Sequence, residues 1–292
     1  MYCNQGFKNL ICSPCVNNCY LYYYLKSKKD YLNSLGRGAT FKEISRQIVS
    51  EIEIPLPELD EQQRIVRQFD LLAKLCNTKH QQIDLLELAV KSRFVEMFGE
   101  LILNPFGWEI GKVLDVCDSI VRGPFGSSLK KEFFVEKSPL TFKVYEQKHA
   151  IQKKSSIGTY YITKEKFDEL KRFECKPNDI LMSCSGTIGE FYELPEDSEP
   201  GIINQALCKF TLNGKMLPRI FIFYMMENIK AIESQGSGIK NIAAVSYIKQ
   251  LPLNIPPLSV QLKYDSFCQQ VDKSRFAGEF CEFLMLSCFK MI

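Results

Sequence analysis

Apolar positions between residues 60 and 98 recur every seven residues. Ile65, Leu72 and Leu86 hold one heptad position, while Phe69, Cys76, Ile83, Val90 and Met97 hold the other, with Lys79 and Arg93 as polar interruptions. Asp60 with Gln63 supplies a capping box, and no Pro or Gly intervenes before Gly99. The pattern predicts one unbroken helix, roughly 58 Å long. Such a helix overruns a compact domain, and its narrow stripe suits one partner helix better than a broad core. Ser259 can cap that partner, whose own pattern decays after Lys273-Ser274-Arg275-Phe276. The expected helix-pairing residues are therefore Ile65, Phe69, Leu72, Ile83, Leu86 and Val90.

Residues 104–250 read differently. Short apolar runs at 112–121, 140–145, 159–162, 179–182 and 206–212 alternate with Gly, Pro and Asn breaks, and 217–232 reads as a helix. The predicted class is α+β, rich in strands. Trp108, after Pro105-Phe106-Gly107, is expected to pin the first strand into the core.

A long repeat organises these elements. Asn4-Gln5 returns as Asn204-Gln205, Tyr23-Tyr24-Leu25 as Phe223-Tyr224-Met225, and Gly36-Arg37-Gly38 as Gly236-Ser237-Gly238. Both copies then enter a Pro-rich step, Ile54-Pro55-Leu56-Pro57-Glu58-Leu59 and Leu253-Asn254-Ile255-Pro256-Pro257-Leu258, with a Gln three residues beyond each final Leu. An offset this large marks a duplicated domain with its linker, since solenoid and propeller periods are far shorter. The expected organisation is a remnant of a first domain over 1–45, a linker and long helix over 46–100, a complete domain over 101–250, and a linker and second helix over 251–292. Residues 1–45 are expected to be poorly ordered or newly packed.

The net charge of +3 excludes a polycation that coats nucleic acid throughout, but allows a local basic surface. Met1 opens no basic-then-apolar signal segment, and Leu21-Tyr22-Tyr23-Tyr24-Leu25 is too short to span a bilayer, so a cytoplasmic protein without membrane partners is expected. The 12 cysteines then read as reduced, mostly buried residues. Cys3, Cys12, Cys15 and Cys19 have zinc-like spacing, but their counterparts Ile203, Leu212, Lys215 and Arg219 ligate nothing, and no metal is expected.

Catalytic constellations are sparse. No phosphate loop, dinucleotide fingerprint or nucleophile elbow occurs. Asp118 with Glu146-Gln147-Lys148 fits a metal-dependent nuclease loosely. Ser183-Cys184-Ser185-Gly186-Thr187-Ile188-Gly189 is better explained as a tight turn between strands than as an anion loop.

The segment Ile54 to Ile65, continuing through Val90-Lys91-Ser92-Arg93-Phe94-Val95-Glu96-Met97-Phe98-Gly99, closely resembles the central conserved region of type I restriction-modification DNA-specificity subunits. Further similarity lies in Gly107-Trp108-Glu109, Ser185-Gly186-Thr187-Ile188-Gly189, Asn204-Gln205-Ala206-Leu207 and Pro256-Pro257-Leu258. The resemblance implies target-recognition domains separated by long conserved helices that pair as an antiparallel coiled coil. It also implies a non-catalytic subunit that binds double-stranded DNA at a bipartite site. Methyltransferase (M) subunits would bring S-adenosylmethionine chemistry and restriction (R) motor subunits ATP hydrolysis, so no cofactor is expected here. The first copy lacks the Gly-Trp entry, which suggests a truncated copy, and its unpaired stripe favours self-association into a two-fold dimer reading an interrupted palindrome. A stand-alone nuclease or methyltransferase, and a coiled-coil scaffold without DNA affinity, are the alternatives.

DNA recognition needs cations for phosphates and polar groups for base edges. The turn-rich stretch Arg122 to Lys131 offers Arg122, Ser127, Ser128, Lys130 and Lys131. A second segment, read as exposed, offers Lys143, Gln147, Lys148, His149, Gln152, Lys153 and Lys154, and Lys240 lies in a third, glycine-rich loop. Glu132, Glu136 and Glu146 are interspersed, as on any solvated surface.

Overall fold

The computed structural model describes residues 4, 6–36, 43–100, 103–125, 128–234 and 244–289; of 233–234 and 276–289 it describes the backbone. The chain divides into two compact units, one made of residues 1–90 with 269–292, the other of residues 91–268.

The first unit is helical. Helix α1 (Asn18–Ser27) starts where the Asn17 side chain accepts from the Cys19 and Tyr20 amides, and α2 (Lys29–Leu35) and α3 (Arg46–Ser50) follow. The long helix α4 spans Leu59–Phe98 as 40 unbroken residues, as the heptad pattern predicts. Its early stripe has an unexpected cover. Tyr20 and Tyr23 of α1 form a buried cluster with Val66 and Phe69, joined by Ile65 and Leu72. Tyr23 stacks on Phe69 at 5.1 Å and its hydroxyl donates to Asp70 at 2.6 Å. Ile65, Phe69 and Leu72, expected to meet a second long helix, pack here against α1. The cause is aromatic content: two tyrosines three residues apart present one broad apolar face, and each phenolic oxygen still reaches an acceptor. Ile83, Leu86 and Val90 remain half-buried. Further along, Glu87 pairs with Arg275 of α9 (Leu258–Phe289) at 3.0 Å.

The second unit holds all ten strands found among the described residues. β1 (Glu109–Lys112) pairs with β10 (Pro252–Ile255) as a two-stranded ribbon. β2 (Cys117–Arg122), β9 (Leu207–Leu212), β6 (Ile180–Ser183) and β7 (Phe191–Glu193) form an antiparallel sheet in the order β2-β9-β6-β7. A further sheet runs β4 (Tyr161–Ile162), β3 (Phe142–Tyr145), β8 (Gly201–Ile203), β5 (Glu174–Cys175), with β3 and β8 parallel. Strands β6 and β8 are buried along their whole length and carry unbroken apolar runs, as strands covered on both faces do. Tyr145, Ala150, Leu181, Ile203 and Leu207 join the sheets in one core cluster. Helices α5 (Gln147–Gln152), α6 (Lys164–Glu169), α7 (Pro218–Ser234) and α8 (Val245–Gln250) pack around them. Phe210 of β9 meets Phe221 of α7 at 5.2 Å.

At the end of α4, Phe94 stacks on Phe223 at 3.6 Å and meets Tyr264 of α9 edge-on, as does Phe98. Trp108 does not enter a core. It is half-buried, and its indole donates to the Phe98 carbonyl at 3.3 Å, tying the start of β1 to the last turn of α4. An indole N–H needs an acceptor, and the free carbonyls of a helix C-terminus supply one.

The sequence repeat recurs as geometry. Buried Gln62 accepts from the Asn17 amide at 2.8 Å and donates to the Cys15 and Pro57 carbonyls at 2.9 and 2.8 Å. Buried Gln261 accepts from the Leu217 amide at 2.8 Å and donates to the Lys215 and Pro256 carbonyls at 3.0 and 2.7 Å. Each glutamine latches the start of a short helix to the Pro-rich step and to the first turn of a long helix.

Candidate nucleic-acid interface

Three connections meet at one end of the β2-β9-β6-β7 sheet. The chain leaves β2 at Arg122, turns between β6 and β7 at 184–190, and enters β9 through 204–206. Arg122 is their junction. Its guanidinium donates to the Gln205 and Cys184 carbonyls, each at 3.4 Å, and lies over the exposed Phe125 ring at 5.2 Å. The close approach needs Gly123, because a Cβ there would sit 1.8 Å from the Asn204 carbonyl oxygen. The β6–β7 turn has Gly186 at φ +62°, as the tight-turn reading expects, and seats that glycine on the amide of Gln147. Arg122 and Gln147 therefore flank one surface, with Ser185, Thr187 and Gln205 exposed between them.

Sequence reasoning passed over those last three. Ser185 and Thr187 lie in a stretch read as a turn, which it is. Gln205 was legible as a repeated residue and as part of the family-like Asn204-Gln205-Ala206-Leu207, but not as a neighbour of Arg122.

The remaining candidates scatter. Ser128 is half-buried, Lys130 is exposed 3.5 Å from Glu132, and Lys131 is exposed at the start of a short 3-10 turn. Lys148 pairs with Glu146 at 2.6 Å and lies over Tyr160. Lys153, held at φ +50°, reaches Glu190 at 2.6 Å and the Phe191 carbonyl at 2.7 Å. Lys154 is exposed, and among the described residues no ion pair engages it or Lys131. Ser127 and Lys240 lie outside the described residues.

Two residues of the segment read as exposed are buried. Lys143 is 1% exposed in the second sheet, its ammonium 3.1 Å from Glu199, which Lys137 also holds at 2.8 Å. A buried ammonium needs its counter-charge, so Lys143 serves the fold and is withdrawn from the phosphate-facing set. Burial raises the Glu199 carboxyl, but the two lysines outweigh it and leave the group below its ordinary range. His149 is fully buried. Its Nε2 donates to the Ile157 carbonyl at 2.8 Å while Nδ1 accepts from the Glu146 amide at 2.8 Å, an arrangement that fits neutral imidazole. Burial holds its pKa below the usual histidine value.

No cluster of three or more His, Cys, Asp or Glu side chains with metal-binding geometry occurs among the described residues. Asp118 is exposed, and Glu146 is engaged by Lys148. No helix among these residues is long and apolar enough to cross a membrane.

The family described as "Type I restriction modification DNA specificity domain" matches residues 1–88 and 105–277. The type I restriction enzyme MjaIX specificity subunit of Methanocaldococcus jannaschii is 31% identical, aligned over 91% of this chain and 65% of its own length. The putative MjaX specificity subunit of the same organism is 36% identical over 88% of this chain and 62% of its own. The chain thus spans less than two thirds of either relative. The crystal structure of a type I restriction-modification S subunit from M. genitalium, 14% identical, shares the mixed helix-and-sheet fold with a TM-score of 0.51, covering 94% of this chain and 72% of that one. The chain belongs to the type I restriction-modification DNA specificity family.

Proposed function

We propose that residues 101–250 read one half of a bipartite double-stranded DNA site, as a non-catalytic part of a specificity subunit that positions methyltransferase and restriction subunits. The observation that carries this is the convergence of Arg122, Gln147, Ser185, Thr187 and Gln205 on one end of a sheet. Arginine and glutamine are the side chains suited to guanine and adenine edges in the major groove, and hydroxyls serve either base or phosphate. Lys131 and Lys154 supply flanking phosphate contacts. Lys130, Lys148 and Lys153 contribute less, since each already faces a carboxylate that competes with phosphate.

The spacer of this arrangement is a pair formed by α4 and α9. Phe94 and Phe98 against Tyr264, and Glu87 against Arg275, support an antiparallel sense, because contacts step back along α9 as they advance along α4. Val90 lies on the stretch between them, and Ile83 and Leu86 lie just ahead of Glu87. Self-association through any stripe left open belongs to the same proposal.

The test is binding to a random-sequence duplex pool, with and without methyltransferase subunits. Enrichment of a defined half-site, with no cleavage or methylation by the chain alone, is the expected result. Strand modification by the purified chain, or binding with neither sequence preference nor salt dependence, refutes it.

A further inference from the structure

A pinned backbone sets Phe125 beside the surface formed by Arg122, Gln147, Ser185, Thr187 and Gln205. Gly123 donates its amide to the Leu207 carbonyl at 3.0 Å, and Pro124 is buried with its φ fixed by its ring, so the chain is held up to the residue before Phe125. Phe125 itself is 64% exposed. A single exposed apolar side chain is ordinary and by itself points to nothing. Its companion sets this one apart. The Arg122 guanidinium lies over the ring at 5.2 Å, while its Nε and one terminal nitrogen donate to the Gln205 and Cys184 carbonyls. Guanidinium and ring form one stack, anchored through the arginine at one end and through the backbone at the other.

That stack limits what the ring can do on a duplex. A wedge that parts a base step needs both faces of the ring, and one face of Phe125 already carries the guanidinium. The other face and the edge are left. In the major groove the base edges offer hydrogen-bonding groups and one apolar group, the C5 methyl of thymine, which phenylalanine is suited to contact. The spacing agrees. Successive base pairs lie about 3.4 Å apart along a duplex. A ring 5.2 Å from the guanidinium therefore falls against a pair neighbouring the one that the arginine meets.

We infer that Phe125 is a specificity-determining residue, which selects a thymine in the base pair next to the one Arg122 meets by covering its C5 methyl. The inference rests on the proposed DNA-reading role of residues 101–250, and adds to it a residue and the chemical group that this residue reads.

The test takes the duplex selected from the random pool and replaces each thymine in turn by uracil, which pairs alike and lacks only the methyl. Binding is measured with the full chain, in the same assembly that gave the selection. At one thymine the replacement should weaken binding about fourfold, the effect of returning one methyl-sized group to water. Phe125→Ala should abolish that difference and bind the thymine and uracil duplexes alike. If Phe125→Ala is unstable, Phe125→Gln decides, because it keeps a long side chain and removes the apolar surface: loss of the difference supports the inference, and its persistence overturns it. Weakening of both duplexes by Phe125→Ala with the difference intact also overturns it, since the ring would then only buttress Arg122. A half-site in which no thymine responds to uracil overturns it too, because a ring that merely stacks treats every base alike. None of these results touches the wider reading. That reading fails if no half-site is enriched at all, and the inference then fails with it.

Discussion

Replacing Gln261 by methionine keeps nearly all of the side-chain volume and removes its hydrogen bonding, which isolates what the latch contributes. The substitution leaves the Leu217 amide without its acceptor and the Lys215 and Pro256 carbonyls without their donor. An unmade bond at a buried group costs about 1–3 kcal/mol, and an amide has no second partner to turn to. Lys215 is exposed, so water replaces its bond at little cost, whereas Pro256 is buried. The sum is about 2–4 kcal/mol, a large part of the roughly 5–15 kcal/mol that holds a typical domain. Gln261→Glu should do no better at neutral pH, because a carboxylate accepts from Leu217 but repels both carbonyls.

Trp108 is the only tryptophan and belongs to the second unit, so its fluorescence reports that unit's unfolding. With a urea dependence of about 2 kcal/mol per molar, the Gln261→Met midpoint should fall by roughly 1–2 M. Gln62→Met breaks the matching latch in the first unit. It should leave the tryptophan transition in place and lower helical signal at a lower urea concentration. A shift under about 0.3 M for Gln261→Met would refute the reasoning, since it would mean that solvent or a neighbour satisfies these groups.

Neutralising Lys131 and Lys154 should weaken DNA binding about equally for all sequences and flatten the log–log salt slope by roughly two charges, read by fluorescence anisotropy across a salt series. Lys143→Met should leave that slope unchanged and lower stability by about 1 kcal/mol, while Glu199→Gln, which strands a buried ammonium, should cost about 2–4 kcal/mol in urea melts. Gly123→Ala must push the Asn204 carbonyl aside, and a thermal melt should show a loss of about 3 kcal/mol. His149 has a folded pKa below its unfolded value of about 6.5. Its contribution is therefore complete above that value and is lost as pH falls toward the folded pKa. The thermal midpoint should fall between pH 7.5 and 5.5, and His149→Gln should flatten that fall.

The long helix was legible because a heptad sustained over some forty residues has no rival explanation. β2, β6 and β9 were legible as apolar runs between breaks. β5, β7 and β8 were not, since strands of two or three residues carry too few positions for alternation to register unless, as for β4, an adjoining aromatic lengthens the apolar run. Lys143 fails for a related reason. Nothing local marks a lysine as buried when its carboxylate partner lies 56 residues away. The junction at Arg122 was half legible: a basic, turn-rich loop shows in the sequence, but its meeting with Gln205 is a contact across 83 residues. The α1 cover of Phe69 was not legible, because the heptad specifies that a stripe needs a partner and not which one.

That ambiguity explains how a duplicated chain can be built. Each copy ends in the same device, a short helix, a Pro-rich step and a glutamine that binds both to the start of a long helix. The device is self-contained. Its bonds run between groups within about fifty residues, so it forms whether or not the strands that precede it are covered. The first copy demonstrates this, with Gln62 fully buried while Ile11 is almost fully exposed. On the proposed reading, the side chains that meet DNA are carried ahead of such a device: Arg122, Gln147, Ser185 and Thr187 precede β9, and Gln205 lies at its entry. Exchanging residues 105–200 for those of another family member should therefore change the bases selected from a duplex pool while leaving the Gln261 latch and the long helices untouched.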